Sequence, residues 1–118
     1  MALALNNYRT ITGIIGINTV GIYTAPTGYS AIVLLAQATN IGNDTQTFSF
    51  AYTENPPDPN VGVAVTTEML KKFPVPANDA ANLLAGKLVL ESGDTLTVSS
   101  SSDTDVKFIS SVLETLNQ

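Results

Sequence analysis

The side chains with the most accessible chemistry in this 118-residue chain are oxygen-bearing ones: Asp94, Asp103, Asp105, Glu91 and the serines at 99–102. Asp103 and Asp105 stand two apart in a serine-rich loop and, with Asp94 from the neighbouring turn, offer the oxygen ligands that calcium takes. Calcium wants about six to eight oxygens, and this spacing is far from an EF-hand loop, so the three read as solvated turn residues. Glu91 and Asp94 are the kind of carboxylate pair that flanks a glycosidic bond, but the separation that such catalysis needs is not encoded in linear spacing. A serine nucleophile needs a base. The chain has no histidine, no Ser-x-x-Lys motif and no Gly-x-Ser-x-Gly elbow. Phosphate-binding glycine loops are absent as well. Asn43-Asp-Thr45 matches the glycosylation triplet and carries little weight without a secretory signal.

Composition narrows the chemistry further. With no cysteine there is no disulfide framework, no thiolate nucleophile and no cysteine-based zinc site. Without histidine the commonest zinc ligand and the usual general base near neutral pH are missing, and without tryptophan so is the strongest aromatic platform. Tyr8, Tyr23, Tyr29 and Tyr52 are the remaining candidates for stacking on a sugar. Tyr23 and Tyr29 flank a turn, where packing at strand ends is the preferred reading. Ten acidic against five basic side chains give a formal charge of −5, and Arg9, Lys71, Lys72, Lys87 and Lys107 are scattered. Nucleic acid binding needs a clustered positive patch, so nucleic acid is not an expected partner. The expectation is a non-enzymatic chain with no cofactor.

The elements that must position these residues are strands. Residues 7–15 form a β-branched run broken by Gly13 and Gly16, which mark a bulge or a close crossing. A short run at 19–23 leads through a turn containing Pro26, Thr27 and Gly28 into 29–38, the most apolar stretch. Ile32, Val33, Leu34 and Leu35 place bulk on both faces there, which predicts a central strand covered on both sides. After a turn at 40–44, residues 45–54 alternate, with Phe48, Phe50 and Tyr52 on the core face. Three prolines make 54–60 an exposed loop, 61–65 reads as a strand, and 68–76 is ambiguous until Pro74 and Pro76 favour extended chain. Residues 78–86 read as one or two helical turns with Asn78 as N-cap and Gly86 as stop.

The centre of the pattern is 86–100. Leu88 and Leu90 share one face, Leu96 and Val98 another, and Glu91 to Asp94 supply turn residues, which predicts a β-hairpin with Gly93 in the left-handed conformation. In 106–116 a helical stripe through Val106, Ile109, Val112, Leu113 and Leu116 competes with a strand face through Val106, Phe108, Ser110 and Val112. β-Branched and serine content, and the all-β context, favour the strand. Eight or nine short strands with turns between them indicate a single all-β domain over 1–118, an antiparallel, jelly-roll-like β-sandwich with at most one short helical turn. No stretch approaches the roughly 20 apolar residues of a membrane-spanning helix. Residues 1–5 lack the features of a signal peptide, so the expectation is a chain made and kept in the cytosol unless it leaves by lysis or within a larger particle.

Three stretches, 22–40, 73–79 and 84–96, together with the closing Ser111-Val-Leu-Glu114, give the sequence a family likeness. The combination resembles small virion proteins of tailed bacteriophages, particularly those of cyanobacterial hosts. The resemblance implies a compact β-sandwich studding a virion, assembled in the host cytoplasm, homo-oligomeric and partnered by major capsid or tail proteins. It implies a capsid decoration or cement protein, with a tail or baseplate component as the close variant; the sandwich reading and the tyrosines near Pro26 leave a carbohydrate-binding host-adhesion module as the alternative. Exposure marks three candidate contacts: the turn of Pro26, Thr27 and Gly28, the loop of Pro56, Pro57, Asp58 and Pro59, and the turn carrying Asp79 and Asn82.

Overall fold

Nearly every alternating run becomes a strand. The computed structural model describes residues 6–54, 66–84 and 86–116, and among them it has nine strands and no helix. They are β1 (Asn6–Ile15), β2 (Val20–Thr24), β3 (Tyr29–Asn40), β4 (Gln46–Thr53), β5 (Thr66–Val75), β6 (Asp79–Asn82), β7 (Leu88–Leu90), β8 (Thr95–Ser100) and β9 (Val106–Leu116). The loop at 55–60 and the strand expected at 61–65 lie outside the described residues.

All pairings are antiparallel. One sheet runs β1-β9-β3-β6, with β7 also on β3, and the other runs β2-β8-β4-β5. β6 and β7 occupy successive stretches of the same edge of β3, at 37–40 and 31–33, and act as one interrupted strand. Counted that way, eight strands divide between two four-strand sheets, with β4 and β5 consecutive in one of them, in the strand order of a jelly roll. The sandwich expected from the sequence is therefore the fold observed.

Period two decides what fills the space between the sheets. Val106, Phe108, Ser110, Val112 and Glu114 of β9 face inward, so the closing segment is a strand and not a helix. Phe48 and Phe50 are fully buried and Tyr52 packs at the edge of the core, as their shared face predicts. The Phe108 ring from the opposite sheet lies 6.2 Å from that of Phe48 and 6.1 Å from that of Phe50. This cluster ties sheet to sheet, and a buried Phe→Ala truncation of this kind costs about 3–5 kcal/mol. Gly13 is a close crossing: a Cβ there would stand 3.1 Å from Ile22 Cδ1 of the facing sheet.

Three expectations are corrected. Residues 88–98 are not a hairpin, because β7 pairs with β3 while β8 pairs with β2 and β4 in the other sheet. The alternation was right, and Leu90 and Leu96 are both fully buried, but they line the core from opposite sides. A turn signal shows that the chain reverses without showing whether it stays in one sheet. Gly93 does take positive φ, at 88°.

The second correction concerns 78–86, where β6 replaces the expected helical turns. Asn78 adopts φ 59° and the Asp79 amide donates to the Pro76 carbonyl at 3.2 Å, closing a turn. The following residues then pair along β3, and the Leu83 amide donates to the Ala36 carbonyl at 2.8 Å. A helix this short is marginal on its own, so a ready-made sheet edge captures the segment.

Third, β3 is central in its pairing but covered on one face only. A register shift between Val33 and Leu35 inserts one extra residue, so Val33 is fully buried while Leu34 and Leu35 are both exposed. The ambiguous 68–76 segment resolves as β5, whose Pro74 is tolerated because the strand is an edge.

Candidate functional site

The jelly roll gathers its connections at two ends. At one end the turn after β2 and the turn before β8 are bonded together: the Ala25 amide donates to the Asp94 carbonyl at 2.9 Å and the Gly93 amide to the Ala25 carbonyl at 3.0 Å. The Gly28 amide donates to Ser92 Oγ at 2.9 Å, and Ser92 Oγ donates to the Pro26 carbonyl at 3.0 Å. Gly28 has φ 85°, so the turn needs a residue without a Cβ. Thr27 and Gly28 are exposed on this rim and Pro26 is half-buried.

Of the residues singled out from sequence, the structure brings Pro26, Thr27 and Gly28 against Ser92 to Asp94. The strand ends flanking the proline-rich segment lie at this same end, because Thr24, Thr95, Thr53 and Thr66 form one row across four strands. Pro56, Pro57, Asp58 and Pro59 themselves lie outside the described residues. Asp79 is not part of this group: it is exposed at the opposite end, opposite Asn40, with its Oδ1 accepting from the Ala80 amide at 2.8 Å. Asn82 is exposed further along β6, beside Gln37.

The oxygen-bearing groups serve the frame. Asp94 is buried; its Oδ2 accepts from Tyr52 Oη at 2.5 Å and from the Glu91 amide at 2.8 Å. Asp103 Oδ1 accepts from the Ile17 amide at 3.0 Å, and Ser100 Oγ lies 2.8 Å from the Ile15 carbonyl and 2.6 Å from that of Ser102. Among the described residues no three acidic side chains converge as a metal site. Of the two tyrosines flanking the turn, Tyr23 is 6% exposed and offers no free face for stacking, while Tyr29 is half-buried.

A second polar cluster escaped the sequence reading. Glu114, 4% exposed, accepts from Tyr23 Oη at 2.5 Å, Asn7 Nδ2 at 3.0 Å and Arg9 Nη1 at 3.3 Å. The Arg9 guanidinium also lies over the Tyr23 ring, 5.7 Å from its centroid. Burial alone would raise the Glu114 pKa, but hydrogen bonds from Tyr23, Asn7 and Arg9 outweigh it and hold the carboxyl below the usual range. Burial, then the bond to a carboxylate, pushes the Tyr23 phenol above its ordinary value, and Tyr52 beside Asp94 follows for the same reasons. The signal was present: extending the inward alternation of β9 two residues past Val112 reaches Glu114.

The outer faces of the two sheets differ in kind. Across the five-stranded sheet, Tyr8, Leu113, Ile32 and Val89 form one apolar row. Lys107 is the one charged side chain at the outward register positions of β1, β9 and β3. The four-stranded sheet instead shows hydroxyls, with Thr24 Oγ1 3.0 Å from Thr95 Oγ1 and Thr53 Oγ1 2.9 Å from Thr66 Oγ1.

No family model matches the sequence, and no curated protein matches it. Solved structures do match in fold. A chain of the IBDV viral particle is similar with a TM-score of 0.57 and 10% identity, over 97% of this chain and 32% of its own. The present chain thus spans about a third of that protein. A chain from the acidic stable capsid of Helicobacter pylori bacteriophage KHP30 is similar with a TM-score of 0.52 and 14% identity, over 98% of this chain and 90% of its own. A chain of the disulfide-linked pili described as Bacillus endospore appendages is similar with a TM-score of 0.55 and 12% identity, over 100% of this chain and 97% of its own. At these identities the likeness is one of fold: this chain has the β-sandwich that occurs in viral capsids and in a bacterial surface fibre.

Proposed function

We propose that this chain is a non-enzymatic structural protein of a bacteriophage virion, a capsid decoration or cement protein that bridges neighbouring shell subunits. The observation that carries the reading is the end-to-end match, in both directions, with a chain of a bacteriophage capsid structure. The physical reading supports it: a frame many of whose polar side chains are spent on internal bonds, exposed turns at both ends, and an outer face of the five-stranded sheet with little charge. Bridging by such surfaces works through several modest contacts whose effects multiply by effective concentration. The exposed turn of Pro26, Thr27 and Gly28 is the first candidate contact, with Asp79 and Asn82 serving a different neighbour at the other end.

A second reading has its own observation. The equally complete match to a chain of the endospore appendages supports a fibre subunit, a reading in which the chain would belong to a tail or surface appendage instead of a shell. The carbohydrate-binding alternative loses its main support, since Tyr23 is buried and its hydroxyl engaged. Quantitative mass spectrometry of purified particles, scaled to the major shell protein, separates these readings. Copies in the hundreds support the shell reading, a few to a few dozen support the fibre or tail reading, and absence from the particle ends both.

A further inference from the structure

Each sheet has two edges, and the four are guarded very differently. A free edge is a row of unpaired backbone donors and acceptors that templates onto another strand, and folded chains blunt it by shortness, charge, proline or a bulge. β6 and β7 are four and three residues long. β2 has five residues and a register shift between Gly21 and Tyr23. β5 is long, but it carries Glu68, Lys71, Lys72 and Pro74, its register shifts twice, and Lys72 is at φ 52°.

β1 is neither short, bulged nor interrupted by proline, and it carries one charge. It is ten residues long and its register with β9 is unbroken. Its single charge, Arg9, is turned to the inner face and tied to Glu114. Tyr8, Thr10, Thr12 and Ile14 line its outer face, all exposed and all uncharged, with Tyr8 75% and Ile14 64% exposed. Among the described residues no strand pairs with its other side.

We propose that β1 is an open docking edge that pairs antiparallel with β1 of a second copy of this chain, about a two-fold axis setting Ile11 opposite its counterpart. Alternate residues aim their backbone groups at the same edge, so self-pairing must match residues an even number of positions apart. This register does so over residues 7–15. It places Tyr8 opposite Ile14 and Thr10 opposite Thr12, aromatic with β-branched and threonine with threonine, which are favourable cross-strand pairs. Arg9 falls opposite Gly13, so the two arginines do not meet. Apart from Arg9, which Glu114 engages, the strand offers no charge by which a different partner would be selected, and pairing joins two five-stranded sheets into one of ten. The inference stands on the edges alone and holds whatever particle the chain belongs to.

The test is a charge swap on the exposed outer face, where substitutions leave the core untouched. Analytical ultracentrifugation of the full chain should give twice the chain mass. Thr10→Lys with Thr12→Lys sets lysines opposite lysines across the axis and should weaken the dimer at least tenfold. Thr10→Glu with Thr12→Glu should do the same, and an equimolar mixture of the two variants should recover the doubled mass. Independently, Thr10→Cys with Thr12→Cys in this cysteine-free chain should form intermolecular disulfides on mild oxidation, since two positions along one strand face lie about 7 Å apart and cannot bridge to each other. A native chain that stays monomeric at several hundred micromolar and does not cross-link would overturn the proposal. So would a dimer that survives both charged variants.

Discussion

The two ends of the sandwich are closed by different chemistry. At the end carrying the 25–28 and 91–94 turns, two tyrosine hydroxyls from one sheet cross to buried carboxylates, Tyr23 to Glu114 and Tyr52 to Asp94. At the other end the fully buried Asn40 does the equivalent work with a neutral amide: its Nδ2 donates to the carbonyls of Asp44 at 2.7 Å and Val75 at 3.0 Å, and its Oδ1 accepts from the Gly42 amide at 2.9 Å. Both solutions satisfy buried polar groups, but the Tyr23–Glu114 pair has shifted pKa values whereas the Asn40 amide does not ionise. Acid and alkali should therefore weaken the Tyr23–Glu114 bond, near the end that presents Pro26, Thr27 and Gly28.

The largest effect is expected where the neutral end is broken. Asn40→Ala leaves two carbonyls and an amide without their buried partner and should cost about 3 kcal/mol, since each orphaned group costs roughly 1–3 kcal/mol before relaxation. Urea denaturation should show the same loss at pH 7 and at pH 4. Next comes Glu114→Gln, which keeps the shape but replaces an acceptor of three bonds with a group that opposes Asn7 and Arg9. It should cost about 1.5–2 kcal/mol at pH 7. Because the folded state holds the Glu114 pKa below its unfolded value of about 4.3, the native carboxylate stabilises fully above that value and loses its advantage as pH falls through the folded pKa. The two proteins should therefore converge in acid. A constant difference between them down to pH 3 would refute the assignment of acid lability to Glu114.

The alkaline side is smaller and opposite in sign. The phenols of Tyr23 and Tyr52 have raised pKa values, so their stabilisation is complete below about pH 10 and declines as pH rises above it. Absorbance at 295 nm should show these two tyrosines ionising together with loss of structure, and Tyr23→Phe should remove one of them from that late phase. The mildest change is Tyr52→Phe, expected to cost about 1 kcal/mol, since it deletes one hydrogen bond at the margin of the core.

How far the sequence foretold this architecture depends on which interactions decide each element. Strands whose inward residues repeat every second position, such as Phe48, Phe50 and Tyr52, were legible because burial alone fixes their face. The partner of a strand was not: Leu88 to Val98 looked like a hairpin because linear pattern records a reversal, while sheet membership is settled by which edge is free when the chain returns. The segment at 78–86 failed for a related reason, since weak local preference yields to an existing sheet edge. Glu114 was missed because a carboxylate on an inward position reads as the end of a strand face until Tyr23, 91 residues away, is known to meet it. Of the candidate contacts, Pro26 to Gly28 was legible as an exposed turn, whereas its separation from Asp79 depends wholly on topology.

On the proposed function, this sandwich should hold other virion proteins together. The most direct test is co-sedimentation of the purified chain with shells assembled in its absence, followed by the temperature at which those shells rupture. The account predicts saturable binding at a fixed ratio to the shell protein, a higher rupture temperature on binding, and weakened binding when Thr27→Asp alters the exposed turn. Shells that neither bind the chain nor gain resistance from it would contradict the claim.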